Sequence, residues 1–281
     1  MYRIRSYISS INRGLIYILL VGFAGIVVGP LIIIVSSAFK TNAEIAENAL
    51  ALPTYFRWEN IVNAWETAKF GMYAKNSFII AAGTTLVIVF VSVLAGYALS
   101  ILRLPGGKGL SIFFLLGMAI PLHGIVVSQY MLLLHLGLLN TRLGVIFVIA
   151  GMHMSFGIYM MRGFFKGISH EIVDAAKVDG CSDFQILLHI VGPMSKPAVW
   201  SLVVFIFTWS WNELLVPLIF ITDDSLRTIS VGLTFYQGRF TTDYSLTAAG
   251  ALIAAIPSLI IYILFQRELI HGISAGSLAG Q

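Results

Sequence analysis

Residues Ser169–Pro197 read SHEIVDAAKVDGCSDFQILLHIVGPMSKP, with Glu171, Asp174, Lys177, Asp179, Asp183 and Lys196 set between long apolar runs. A charged stretch flanked by membrane-length spans has to lie in water on one face of a bilayer. Within 170–178, Ile172, Val173, Ala175, Ala176 and Val178 fall at helical spacings. Asp179-Gly180 then reads as a stop, because glycine accepts the left-handed position that ends a helix. Ser182 opens a second helix and stands three residues before Gln185, the spacing of a capping box. Phe184, Ile186, Leu187 and Ile190 follow, and Pro193 and Pro197 are expected to close the element. Two stubby helices with an apolar stripe and no core of their own call for a groove on a partner.

The 281-residue chain is 58% hydrophobic and 11% charged, against about 25% charged in a soluble domain, so its composition is that of a membrane protein. The net charge of +4 without a basic cluster argues against a nucleic-acid partner and for the lipid bilayer as the surroundings. A single cysteine, Cys181, excludes an intrachain disulfide and a multi-cysteine metal site; its place in the polar loop suits a reduced thiol packed as a small hydrophobe.

Arg3, Arg5 and Arg13 precede an apolar run from Leu15 to Ala38. That run exceeds the apolar region of a signal peptide, about 7–15 residues, and is read as a retained first span. Further spans fall near 77–100, 109–134, 143–164, 198–221 and 246–266, six in all. With the N-terminus inside, ten Lys and Arg lie on the cytosolic side and seven outside, while Glu44, Glu47, Glu59, Glu66, Asp223, Asp224 and Asp243 gather outside. The expected topology is therefore N-in and C-in, with a cytosolic N-terminus over 1–14, a membrane domain over 15–268, the cytosolic loop 165–197 and a cytosolic tail over 269–281. Trp58, Ile61, Val62 and Trp65 predict one short amphipathic helix in the outer segment 40–76.

Motifs for catalysis are missing. Gly106-Gly107-Lys108-Gly109 lacks the spacing and the hydroxyl of a nucleotide-binding loop, and no His-Glu-x-x-His, Cys-x-x-Cys or Gly-x-Ser-x-Gly occurs. Repeats and clustered ionisable groups, which a self-sufficient secondary transporter or an intramembrane enzyme would need, are not seen either. If ATP drives transport here, another polypeptide hydrolyses it. The sharpest polar feature is Asn212-Glu213 in the fifth span. Two readings of Glu213 stand: a water-filled path or subunit interface, or the headgroup layer, since Asp223 is ten residues on. His123, His135 and His153 are each near a span end or alone, and a lone histidine is ordinarily a hydrogen-bonded packing residue. Pro30, Pro121, Pro217 and Pro257 permit kinks, either along a passage or simply tolerated. Gly22, Gly25 and Gly29 give the first span a small-residue face suited to helix packing.

The polar loop resembles the coupling segment of permease subunits in bacterial ABC importers, named for a Glu-Ala-Ala triplet followed by a glycine, an isoleucine and a closing Leu-Pro. Asp174-Ala175-Ala176 stand for the triplet, Gly180 for the glycine, Phe184 and Ile190 for the apolar positions and Gly192-Pro193 for the end. Asp for Glu, Cys181 for a small alanine and Gly192 for leucine are departures. Asn76-Ser77, Ala95-Gly96-Tyr97-Ala98, Leu104-Pro105-Gly106-Gly107-Lys108, Gly137-Leu138-Leu139-Asn140-Thr141, Trp211-Asn212-Glu213 and Arg227–Leu233 are similar to the carbohydrate-uptake branch. Phe265-Gln266-Arg267 through Gly276 resembles the family's C-terminal end, without the usual lysine at Leu278-Ala279-Gly280. Most of the chain resembles the smaller, second permease of the maltose-type system. The resemblance implies an all-α, multi-pass type I ABC importer permease of six transmembrane helices in a bacterial plasma membrane. It implies no catalytic residue, metal or cofactor in this chain, with ATP and Mg held by a partner ABC ATPase dimer. It also implies a second homologous permease, which makes most of the sugar contacts, and an extracytoplasmic solute-binding protein. The solute would be a di- or oligosaccharide, with a sugar phosphate or polyol as the alternative. Glu171, Asp174, Ala175, Ala176, Asp179, Gly180, Phe184, Ile190 and Pro193 are the expected ATPase-coupling residues, and Tyr130, Asn212 and Glu213 the expected path residues.

Overall fold

The computed structural model describes the backbone of residues 2–102, 104–238 and 242–278, and their side chains except at 2–13, 15, 122, 123 and 268–278. Arg103 and Arg239, used in the charge count, lie outside the described residues, as do the last three positions of the tail. All regular structure among the described residues is helical, save one bridge between Gln237 and Thr242. In chain order the helices are α1 (Tyr2–Ala38), α2 (Asn42–Glu47), α3 (Glu59–Thr67), α4 (Phe70–Ser100), α5 (Gly107–Gly117), α6 (Val126–His135), α7 (Arg142–Lys166), α8 (His170–Val178), α9 (Asp183–Ile186), α10 (Gly192–Met194), α11 (Lys196–Asn212), α12 (Leu215–Phe220), α13 (Ile229–Leu233) and α14 (Tyr244–Leu278). Four of these, within α1, α4, α7 and α14, are long and apolar enough to cross a bilayer.

The remaining expected spans are broken. Residues 109–134 form α5 and α6, joined by a short 3-10 turn over Leu122–Ile125, because Pro121 is extended (ψ 107°) and supplies no N–H to continue a helix. Residues 198–221 form α11 and α12, with Glu213 extended between them (φ −65°, ψ 125°). Helix α4 starts seven residues before Ser77, so Asn76-Ser77 lies inside it rather than opening it. Helix α14 continues to Leu278 through the segment expected as a separate tail. The expected short amphipathic helix is α3; α2, which composition did not announce, is held by a capping box between Thr41 and Glu44. The Thr41 backbone N–H, then the Thr54 and Thr41 hydroxyls, hold the Glu44 carboxyl at about 2, below its ordinary range.

The chain divides into two compact units. One comprises residues up to Phe70 together with Leu233–Ala255. In it Lys40 is buried and donates to the carbonyls of Asn48 and Ala49, each at 3.2 Å, while Asn60 donates to those of Ala38 and Lys40. These bonds close the loop after α1 on itself. Tyr236 donates its hydroxyl to the Ala64 carbonyl, and its ring packs on Phe70. Along α1, by contrast, most apolar side chains from Ile16 to Val35 are exposed. A Cβ added at Gly22, Gly25 or Gly29 meets nothing within 4 Å, so the small-residue face is open within this chain.

The other unit comprises Gly71–Gly232 with the residues from Ile256 on. One end of it is tied by polar side chains of α4. Asn76 donates to the carbonyls of Ser225 and Arg227 (2.8 and 2.9 Å) and accepts from the Arg142 side chain, and Ser77 accepts from the Ile229 N–H. Asn140 adopts the left-handed conformation (φ 58°), from which its side-chain oxygen accepts the N–H groups of Thr222 and Asp223. Thus the Asn76-Ser77, Gly137–Thr141 and Arg227–Leu233 stretches are parts of one joint. Deeper in, α4 and α7 touch closely: a Cβ on Gly96 would lie 2.9 Å from Met161 Cβ and 3.0 Å from the Arg162 nitrogen. Gly96→Val is therefore expected to destabilise the fold by about 1–3 kcal/mol, the usual cost of overpacking. Thermal unfolding in detergent checks this, with Gly22→Ala expected to melt as wild type.

Candidate functional site

The two-helix segment is capped as its residues dictate. Ser169 accepts from the Glu171 N–H at the start of α8. At its end, Gly180 (φ 84°) turns the chain while Cys181 N–H bonds to the Ala176 carbonyl and Gly180 N–H to that of Lys177. These two bonds form a Schellman cap, which requires the left-handed residue that only glycine supplies without strain. Ser182 and Gln185 make the reciprocal capping box at α9. Lys177 and Asp183 pair across the turn at 3.2 Å, both about half exposed, a contact worth at most about 1 kcal/mol.

The end of the segment departs from expectation. Pro193 and Pro197 each stand at the first turn of a helix, α10 and α11, where a missing N–H costs nothing. The chain stays helical through Met194 and then turns by 77° at Ser195. Before that corner it widens into a π turn over Leu187–Val191. A Cβ on Gly192 would come 2.7 Å from the Leu187 carbonyl oxygen. The glycine that departs from the family's usual leucine is thus the residue the π turn needs.

Contrary to the expectation of no core, the segment has one face rooted in its own bundle. Val173, Ala176, Ile186, Leu187 and Val191 are buried with Tyr97 of α4, Ile101 just past its end, Phe165 of α7, and Ala198 and Leu202 of α11. Tyr97 also donates its hydroxyl to the Asp183 carbonyl at 3.1 Å. Other apolar side chains of the segment are exposed: Val178 is 88% exposed, Phe184 65% and Leu188 52%, and Ile172 is exposed as well; Phe184 and Leu188 line a groove with Leu86, Phe90 and Leu94 of α4. Among the expected coupling residues, Glu171, Asp174, Ala175, Asp179, Gly180, Phe184 and Pro193 are exposed and Ile190 is half-buried. Ala176 is the correction: it is buried, and its small side chain seats α8 on the bundle rather than meeting a partner. Val178 and Leu188 are exposed too, although the motif does not name them. Cys181 is a half-buried free thiol against the same core.

A second feature lies between α7 and α11. A pocket of about 400 Å³ is lined by His153, Phe156, Thr208, Trp209, Asn212 and Glu213, with two methionines on its wall. The Trp209 ring lies 4.9 Å from Phe156 and 5.0 Å from His153. Asn212 donates to the Thr208 carbonyl at 2.8 Å, and one Glu213 carboxylate oxygen accepts the Val216 N–H at 3.2 Å, capping α12 after the break. His153 stands 11 residues from Arg142 and 13 from Lys166, the ends of α7. At about 1.5 Å per residue, it lies roughly 16–20 Å from either end. Glu213 therefore borders the pocket beside the middle of a long helix. Tyr130 is not in this pocket; it stacks on Phe220 (6.1 Å) in a separate apolar cluster. His153, read as a packing residue, lines the pocket, whereas His135 bonds its own helix at Met131 and the His123 side chain lies outside the described residues. Trp209 and Phe156 had no sequence signal beyond aromaticity.

Comparison with known proteins places the chain in a family. Residues 88–267 match the model for the binding-protein-dependent transport system inner membrane component, and the chain belongs to that family. It is an inner-membrane, multi-pass permease subunit of the ABC transporter class. The chain is 28% identical to the diacetylchitobiose uptake system permease protein NgcG of Streptomyces coelicolor, over 92% of this chain and 86% of that one. It is 30% identical to the probable starch degradation products transport system permease protein AmyC of Thermoanaerobacterium thermosulfurigenes, over 92% and 96%. Among solved structures it shares the fold of a chain in a bacterial ABC transporter involved in the import of the acidic polysaccharide alginate, with a TM-score of 0.80 at 21% identity over 90% and 95% of the two chains.

Because Gly180 holds a positive φ, Gly180→Val is expected to cost about 1–2 kcal/mol locally. Hydrogen exchange at the Cys181 amide should speed up about tenfold, with little change at amides in α7.

Proposed function

We propose that the chain is one permease half of an ATP-driven, binding-protein-dependent importer of a di- or oligosaccharide. Six crossings, with both termini in the cytosol, put the Ser169–Pro197 elbow on the cytosolic side; the broken stretches 109–134 and 198–221 then count as single crossings. A second, homologous permease completes the passage. An extracytoplasmic binding protein delivers the solute, and an ATPase dimer, carrying ATP and Mg, grips the elbow. The names of the relatives, a diacetylchitobiose system and a starch-product system, support a saccharide solute.

The single observation carrying the reading is the two-faced elbow. Val173, Ala176, Ile186 and Val191 root it in the bundle, while Val178, Phe184 and Leu188 are exposed, as are Glu171, Asp174 and Asp179. A segment that exposes both apolar and acidic side chains suits a partner groove with apolar walls and basic edges. Because the exposed side chains and the root belong to the same short helices, a push on one moves α7 and α11 through the other. No chemistry is required of this chain; it transmits force.

The test is co-purification with the ATPase encoded alongside. Phe184→Asp is expected to lower recovered ATPase at least tenfold while the permease alone melts as wild type, since Phe184 is outside the buried core. Full recovery of ATPase with Phe184→Asp and Val178→Asp combined would contradict the docking role.

A further inference from the structure

We infer that the pocket between α7 and α11 is a saccharide subsite on this chain itself, built for an uncharged sugar ring. The inference rests on the importer reading above and goes beyond it, since the resemblance assigns most sugar contacts to the other permease. Three observations carry it.

The first is the wall chemistry. Trp209 and Phe156, at 4.9 Å, form an aromatic corner with the His153 ring 5.0 Å from Trp209. A pyranose ring presents a face of C–H groups carrying slight positive potential, and an aromatic face is its electrostatic and apolar complement. The second is the polar edge. Asn212 and Glu213 border the same pocket, and sugar hydroxyls donate well to a carboxylate. One Glu213 oxygen is used by the Val216 N–H; the other has no partner among the described residues. The third is depth and size. The site borders the middle of α7, and a volume of about 400 Å³ lies in the range of small-ligand sites, roughly 300–1,000 Å³.

Charge narrows the solute. The lining has a carboxylate and, among the described residues, no Lys or Arg. An anionic ring would bring two like charges together in a site of lowered dielectric, where His153 is the one other ionisable side chain among the lining residues described. A uronate or a sugar phosphate is therefore disfavoured, and a neutral or N-acetylated sugar favoured.

The test uses the full complex with its binding protein in proteoliposomes, supplied with maltotriose, N,N′-diacetylchitobiose or, as the anionic comparator, digalacturonate. At least one neutral sugar should be taken up and digalacturonate excluded. Trp209→Ala should raise the half-saturating concentration of that sugar at least tenfold with the amount of assembled complex unchanged, and Trp209→Phe should restore most of the affinity. Wild-type saturation in both Trp209→Ala and Phe156→Ala, or uptake of digalacturonate, overturns the subsite. Neither result would touch the importer reading, which fails instead if the wild-type chain recovers no ATPase.

Discussion

A helix of nine residues does not persist in water on its own, because nucleation costs more than two turns of hydrogen bonds return. The elbow of this permease exists because Val173, Ala176, Ile186 and Val191 are buried against α4, α7 and α11. Each of the valines and the isoleucine contributes about 1.5–3 kcal/mol when it leaves water. The Schellman cap at Gly180 and the capping box at Ser182 then decide where the helices stop and start. Anchoring of this kind has a mechanical consequence. A segment rooted in three long helices shifts those helices when pushed, whereas a loop held only by its ends would absorb the push.

The same need to satisfy backbone groups shapes the interior. An unpaired N–H costs several kcal/mol in hydrocarbon, so a helix breaks within a membrane only where something takes over its bonds. At the α11–α12 break the Glu213 carboxylate accepts the Val216 N–H, and at the α7 entrance Asn140 accepts two N–H groups from the chain after α12. Glu213 is thus a structural cap with an oxygen to spare. That dual position is what lets a helix break double as the polar edge of a pocket.

Much of this was legible in the sequence, for reasons that are local. Caps are short-range chemistry, so Asp179-Gly180 and Ser182–Gln185 announced the elbow's turn without knowledge of the fold. Membrane character follows from composition, which no packing detail alters. What failed depended on facing. Ala176 and Val178 are two residues apart in one apolar stripe, yet one is buried and the other 88% exposed. Tyr130 and Trp209 are both aromatics in apolar helices, but the register of α6 and α11 sends one to Phe220 and the other to the pocket. The break at Pro121 was visible as a kink only, since an apolar run does not reveal whether its backbone continues. Gly192 stood only as a departure from leucine; in the π turn, a Cβ there would strike the Leu187 carbonyl.

The most direct measurement of the two-faced elbow is cysteine cross-linking to the ATPase in a Cys181→Ser background. A cysteine at Val178 should form a cross-link to the ATPase that disappears when the two are separated, while one at Val173 should form none. Cross-linking at Val173 with Val178 silent would mean that the face turned to the motor is the one described here as its root.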